Sequence, residues 1–414
     1  MNRRNFIQTL AAPPLAAWAA PETPTRELAG KSLAQLRDFH KQELFSEYIA
    51  LWDKSGIDWQ HGGFFPEANV TGDPARVTDK EMYYQGRGLW VFSYIYNHFE
   101  RHERHLKAAR LAREFLVKNC RDPKGYWISK FTRDGKKLQP STNIGDIYMV
   151  LGLAEYYKAA GNREDLDLAI ESAYGVMERV VSPAYQHVES HGPAHEPGTK
   201  RLGTWQHFLS ALTPLLRHTQ DEGIDNIARM CVRNIMERHY RPEYGVMLEH
   251  LDDRFEPFKP DPQQKHRIVS GWHSIQAAWM SMEGAQRRNH PRMFTEALTM
   301  GRRTMEKCWV DGKRFSGLVS LEDPEQRPVE PTTLAGIPSG ALDDALIFCL
   351  MAVEHTGETW AQDWYNKVFA TGSHLKHWRR RCLLHHPRRL FLTIEILDRL
   401  ITRGGRSSGF LARV

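Results

Sequence analysis

Two histidines in this chain stand where a helical run is about to begin. Gly271-Trp272-His273-Ser274-Ile275-Gln276 puts His273 ahead of the apolar residues through Met280, and Leu384-His385-His386-Pro387-Arg388 puts His385 ahead of Leu390-Phe391-Leu392. A third stretch, Lys80 to Phe99, carries Gln85-Gly86-Arg87 and then Trp90 and Phe92. Imidazole, with an unperturbed pKa of roughly 6.5, serves as either acid or base near neutral pH. Two imidazoles on opposite sides of one carbon could remove a proton from one face and return it to the other. A guanidinium aimed at the same place would stabilise the oxyanion formed in between. All of this requires helices that are far apart in sequence to be neighbours pointing the same way.

The hydrophobic periodicity predicts twelve helices. The first is Lys31–Trp52, and the rest come in pairs: Lys80–Arg101 with Leu106–Asn119, Ile144–Ala160 with Arg163–Val181, and Trp205–His218 with Ile224–Tyr240. Then follow Ile268–Arg288 with Pro291–Trp309, Ala341–His355 with Trp360–Ser373, and a closing Pro387–Arg403. Tight joints such as Gly161-Asn162 and Gly357-Glu358 carry the glycine expected at a helix end. Strand-like stretches are short and sit in the longer loops, at Gly125–Phe131, Gly245–Leu251 and Phe315–Leu321. The expected fold is all-α, an α/α-barrel (toroid) of six helical hairpins with inner and outer layers. A solenoid is the competing layout, but no fixed repeat period is present. In the toroid the even helices line the inside, and their first turns bear Arg87, Asp146, His207, His273, Asp344, and His385 with Arg388. Helix N-termini favour developing negative charge, so one pocket at that mouth is the natural site.

With 414 residues, 41% hydrophobic and 26% charged, the composition is that of a soluble globular protein with a sizeable core. Met1 to Ala20 reads as an export signal: Arg3-Arg4 before Phe6, a short Ala/Leu-rich run, and a small-x-small cleavage site. The paired arginines suggest the twin-arginine type and a periplasmic or cell-envelope location. The expected division is a signal at 1–20, one catalytic domain at 21–404 and a C-terminal tail at 405–414. No other apolar run reaches transmembrane length, so stable membrane insertion is not expected. Five scattered cysteines lack metal-ligand spacing and read as free thiols, mostly buried. His187, Glu189, His191, His195 and Glu196 share a Pro/Gly-rich loop, but their irregular spacing fits solvation better than a metal site. The basic run Lys376-His377-Trp378-Arg379-Arg380-Arg381 superficially resembles a nucleic-acid contact. An export signal argues against nucleic acid.

At the residues singled out first, the chain resembles the N-acylglucosamine 2-epimerase family, which includes cellobiose 2-epimerases and related aldose–ketose isomerases. The family patterns are Gly-Gly-Phe, Gln-Gly-Arg-x-x-Trp-x-Phe, Asn-Pro-x-x-His-Leu-Leu-Glu, Gly-His-x-x-Glu and His-x-Pro-Arg. Here they read Gly62-Gly63-Phe64, Gln85-Gly86-Arg87 with Trp90 and Phe92, Trp205-Gln206-His207-Phe208-Leu209, His273-Ser274-Ile275-Gln276, and His385-His386-Pro387-Arg388. Their order and rough spacing agree from about Trp52 to Leu400. The chain departs from the patterns at Gly203 and Ser210, where the family has Asn and Glu. Trp272 replaces the glycine of Gly-His-x-x-Glu and Gln276 its glutamate. Ser339-Gly340 stands where the family has two tryptophans, and Asp344 where it has glutamate.

The resemblance implies epimerisation or isomerisation at C2 of an open-chain mono- or disaccharide, through a cis-enediolate and without a cofactor. His273 and His385 would exchange the C2 proton, Arg87 would stabilise the enediolate oxygen, and His207 would aid ring opening or bind a hydroxyl. Gln276, Asp344, Arg388, Trp205, Asp146, Glu249 and Tyr84 are the candidate substrate-binding or supporting residues. Relatives are often dimers, so a homodimer is one expected assembly. In the family two glutamates hold the histidines, and the resemblance makes Gln276 the neutral successor of one of them, beside His273. On that expectation, Gln276→Glu would restore basicity. Two rivals remain open at this point: a glycoside hydrolase or lyase on the same scaffold, with Glu249 as acid/base, and a non-catalytic sugar-binding protein.

Overall fold

The computed structural model describes residues 23–68, 77–186, 196–242, 245–258, 268–310, 314–315, 318–320, 328–329, 340–372 and 382–413. The expected signal at 1–20, the loop residues 187–195 and the basic run 376–381 lie outside them. Twelve main helices run through the described residues. Helix α1 is Leu33–Gln42, continued by a π-helical stretch Glu43–Ile49 and by Ala50–Ser55. Then come α2 (Met82–His98), α3 (Glu103–Asn119), α4 (Asn143–Ala160), α5 (Arg163–Val181), α6 (Leu202–Leu215) and α7 (Glu222–Arg233, extended by Asn234–His239). The series ends with α8 (Gly271–Arg287), α9 (Pro291–Cys308), α10 (Gly340–Thr356), α11 (Thr359–Ala370) and α12 (His385–Thr402).

Residue type explains the two layers. Helices α4 and α10 bury residues on nearly every face, whereas α3, α7 and α9 bury a single stripe. A helix that is apolar all round must be covered all round, and one with a stripe packs one side and wets the other. Accordingly α2, α4, α6, α8, α10 and α12 pack in succession as an inner ring, with an outer helix against each. Five pairs are sequential hairpins. The sixth joins the two ends of the chain, α1 lying against α12. The ring closes where Phe391 of α12 meets Trp90 and Tyr94 of α2, and Tyr94 Oη donates to Glu395 at 2.8 Å.

The short strands precede or flank the inner helices at one end. Lys80–Glu81 pairs with Lys130–Phe131 ahead of α2, Lys200–Arg201 with His250–Leu251 ahead of α6, and Ile268–Ser270 with Leu318–Ser320 ahead of α8. Residues 405–413, expected as a tail, pack back onto the barrel. Thr25 N–H donates to Gly405 O, Ser408 hydrogen-bonds His355, and Phe410 and Leu411 are buried. All five cysteines are free, four of them buried. No helix among the described residues is long and apolar enough to cross a membrane.

Consecutive residues of α10 and α12 serve two different faces. Asp344, His385 and Arg388 face the inner site, while Asp343, His386 and Arg389 face α1. Arg389 is fully buried and binds Asp343 at 2.9 Å and both Glu43 oxygens at 3.1 Å. Glu43 opens the π-helical stretch of α1 and also meets His40 and His386. This buried ion network fixes the first turn of α12, and with it His385.

Three buried histidines outside the site, His40, His239 and His355, have pKa values lowered to about 4, chiefly by burial. An unfolded histidine binds its proton near 6.5, so between those pH values the unfolded chain holds more protons and stability falls as pH falls. Each contributes up to about 3 kcal/mol of that loss by pH 4. The melting temperature is therefore expected to drop steeply as pH is taken from about 6.5 to about 4. Thermal denaturation across that range checks it, and a flat profile would contradict neutral buried imidazoles.

Candidate active site

The first turns of the inner helices assemble a contiguous arc of side chains, which begins at Arg87. Gly86 and Gly152 let the backbones of α2 and α4 touch, since a Cβ at Gly86 would lie 2.4 Å from the Tyr148 carbonyl. That contact brings Tyr148 beside Arg87, whose guanidinium lies 3.5 Å from the Tyr83 ring centroid and 4.2 Å from that of Tyr148. Nη2 donates to Tyr148 Oη at 2.8 Å. Arg87 is 3% exposed, its Nε has no hydrogen-bond partner, and no carboxylate pairs with it among the described residues. A buried cation without a counter-ion is costly. It is well suited to an anion that forms only during reaction.

From Tyr148 the arc passes to His207 at 5.7 Å between ring centroids, and from His207 to His273 at 5.9 Å. Trp272 then lies 5.3 Å from His273 and 5.0 Å from His385. His207 is half-buried, yet enclosure, followed by the nearby His273, Arg87, Arg201 and Arg388, holds its pKa well below the ordinary value. His207 is thus a neutral donor or acceptor at working pH. His385 is lowered to about 4, first by burial, with Asp344 opposing and Arg388 and Arg87 assisting.

Each of His273 and His385 has its own carboxylate, and one partner is not the expected one. His273 Nδ1 lies 2.8 Å from Glu249 Oε2, while Arg201 Nε donates to Glu249 Oε1 at 3.1 Å. The strand pairing of Arg201 with His250 carries Glu249 there. Gln276 instead donates to Asp344 Oδ2 at 2.8 Å and accepts from Gln206 at 2.7 Å. The expectation that Gln276 is the partner of His273 is therefore corrected: one helical turn past His273, its side chain points toward α10. Asp344 is fully buried and receives Trp272 Nε1 at 2.8 Å, Trp279 Nε1 at 3.0 Å and Arg388 Nη2 at 2.7 Å as well, with His385 Nδ1 at 3.4 Å. Burial raises its pKa, but Arg388 and then His385 and Trp272 outweigh that and lower it to about 2.

The expected result of Gln276→Glu reverses accordingly. Glutamate would set a second buried carboxylate against Asp344, so one of the pair must take up a proton or repel the other. A stability loss of about 2 kcal/mol or more and a lower rate are expected, read by denaturant melts and turnover. A rate increase would reinstate Gln276 as a partner of His273.

The remaining sequence candidates fall on either side of the arc. Arg388 joins it through Asp344, and Tyr84 abuts Tyr83 edge-to-face at 5.1 Å. Asp146 does not join: it turns outward to Arg179 of α5 and to the Trp127 backbone N–H. Trp205 is buried and stacks on Phe255 at 6.1 Å, and so supports rather than lines the arc. Sequence reasoning missed Tyr83, Tyr148, Arg201, Gln206 and Trp279. Tyr148 had a signal in the glycine-spaced seam of α2 and α4, whereas nothing in the sequence marks Arg201. Among the described residues no cluster of three or more metal-ligating side chains occurs.

Fold and arc together define an α/α-barrel with a candidate acid–base site at the N-terminal end of its inner helices. Residues 63–380 match the N-acylglucosamine 2-epimerase (GlcNAc 2-epimerase) family, and the chain belongs to that family of sugar epimerases and isomerases. A cellobiose 2-epimerase of Dictyoglomus turgidum is 24% identical over 307 residues, 67% of this chain and 76% of that protein. An N-acylglucosamine 2-epimerase of Mus musculus is 27% identical over 267 residues, 61% of this chain and 60% of that protein. The chain therefore spans about three fifths of the mouse protein. Among solved structures, the cellobiose 2-epimerase of Bacillus thermoamylovorans B4167 has a TM-score of 0.72 at 17% identity, covering 87% of this chain and 99% of that one. That likeness is one of fold.

Proposed function

We propose that this protein is a sugar 2-epimerase that works by proton transfer between two histidines. The observation that supports it most is the pair of imidazoles in ring contact with Trp272, each with a separate carboxylate, on one arc with Arg87, which has no carboxylate partner among the described residues. His385, neutral at working pH, removes the C2 proton of the open-chain aldose. The electron pair passes to the carbonyl oxygen, and Arg87 stabilises the enediolate. His273, hydrogen-bonded to the Glu249 carboxylate, returns a proton to the opposite face of C2, giving the epimer. Protonation of C1 instead, with the O2 proton passing to O1, would give the ketose. No step consumes a redox partner or cofactor.

The hydrolase reading needs a carboxylic acid with a raised pKa and a second free carboxylate. Glu249 and Asp344 are both held below the ordinary carboxylate range, and both are occupied by a histidine and an arginine. Neither suits the role of general acid. The test is incubation in deuterated water with cellobiose, N-acetylglucosamine and D-mannose, sugars chosen from the names of the relatives and from C2 chemistry. Epimer carrying deuterium at C2 is expected from one of them. Hydrolysis products, or epimer without solvent deuterium, would overturn the reading.

A further inference from the structure

Trp272 occupies a place that the proton-transfer scheme leaves without a role. Its indole is the one side chain of the arc in ring contact with both His273 and His385, and it remains partly exposed. Two contacts hold it. Nε1 donates to Asp344 Oδ2 at 2.8 Å, and the six-membered ring covers Gly340, the first residue of α10. A Cβ at Gly340 would come within 2.7 Å of Trp272 Cζ2 and 3.0 Å of His385, so only glycine leaves the indole its seat. Two departures noted in the sequence therefore meet in space. The indole enters from α8, where the family pattern has glycine, and fills room left by Gly340, where that pattern has tryptophan.

We propose that Trp272 is a positioning and specificity-determining residue: its indole is the surface on which the open-chain sugar rests between the two histidines, and its N–H limits how much of the Asp344 charge reaches His385. The proposal rests on the epimerase reading. A flat apolar ring in contact with both imidazoles gives the C–H face of a sugar chain a fixed height, leaving one carbon within reach of both. The second effect follows from competition. Asp344 Oδ2 accepts from Trp272 and Gln276 at 2.8 Å each, while His385 Nδ1 stands off at 3.4 Å. The charged groups facing His385 are Asp344 from α10, Arg388 from its own helix and Arg87 from α2, and of these only Asp344 favours the imidazolium. Removing the indole donor leaves more of that carboxylate's charge for His385.

Two variants separate the effects. Trp272→Phe keeps an aromatic surface and loses the donor, and Trp272→Ala loses both. KM and kcat are read from C2 deuteration of cellobiose, N-acetylglucosamine and D-mannose, and the His385 ring is titrated by nitrogen-15 NMR. In Trp272→Phe, KM is expected to stay within about twofold while the His385 titration rises by roughly half a pH unit. In Trp272→Ala the same rise is expected, together with a KM increase of about tenfold. An unchanged KM in the alanine variant removes the platform, and an unchanged titration in the phenylalanine variant removes the electrostatic role. A fall in kcat alone would mark Trp272 as merely structural and overturn both. If wild-type protein deuterates none of the three sugars, the epimerase reading fails, while the titration still decides whether Trp272 controls His385.

Discussion

Replacing either His273 or His385 by alanine is expected to lower epimer formation about a thousand-fold, the middle of the range for loss of a general acid or base. One imidazole cannot serve both faces of C2, so the residual epimerisation in either variant is background reaction rather than two-histidine turnover. The single variants should still differ in one respect. Each keeps one working histidine, so substrate whose C2 proton faces that histidine is expected to exchange with deuterated water without inverting. The double variant should lose this exchange too, and its epimerisation should be scarcely slower than in either single variant, because the two groups act in one cycle. Chiral analysis of products and mass spectrometry of recovered substrate measure both. Full activity in both alanine variants would rule out the two-histidine mechanism and favour a binding role.

Asp344→Ala is expected to be the most damaging single change away from the imidazoles. It would leave the Arg388 guanidinium, the Trp272 and Trp279 indoles and the Gln276 amide without their shared acceptor, inside a fully enclosed site. Removing one partner of a buried ion pair costs about 3–5 kcal/mol, which denaturant melts would show. Epimerisation should fall with it, since His385 loses its orienting carboxylate. Asp344→Asn separates charge from space. It keeps the shape, so stability should recover in part while the rate stays low. Equal rates for Asn and Asp at this position would mean that orientation alone matters.

Periodicity was enough to predict twelve helices in two layers, because an inner helix must be apolar on all sides and an outer one on a single stripe. The order and spacing of Arg87, His207, His273 and His385 were enough to nominate a site at the helix N-termini. Local patterns say little, however, about which side chain meets which across the ring. The resemblance paired Gln276 with His273, one helical turn before it, but the side chain is aimed at Asp344 on the next helix. The real partner, Glu249, is 24 residues upstream and arrives by a two-residue strand pairing. Asp146 shared the position that made the others candidates and turned outward to Arg179. Trp272 and Gly340 read as two unrelated departures until the fold set one upon the other.

What the sequence by itself determined was the kind of elements, their order and the end of the ring where chemistry-bearing residues gather, since periodicity and helix-start position are local properties of the chain. Only the tertiary structure decided the carboxylate partners of His273 and His385, the aromatic clamp on Arg87 and the place of Trp272. Those contacts depend on the rotation of each helix about its own axis, which is set by packing against neighbours from distant parts of the chain.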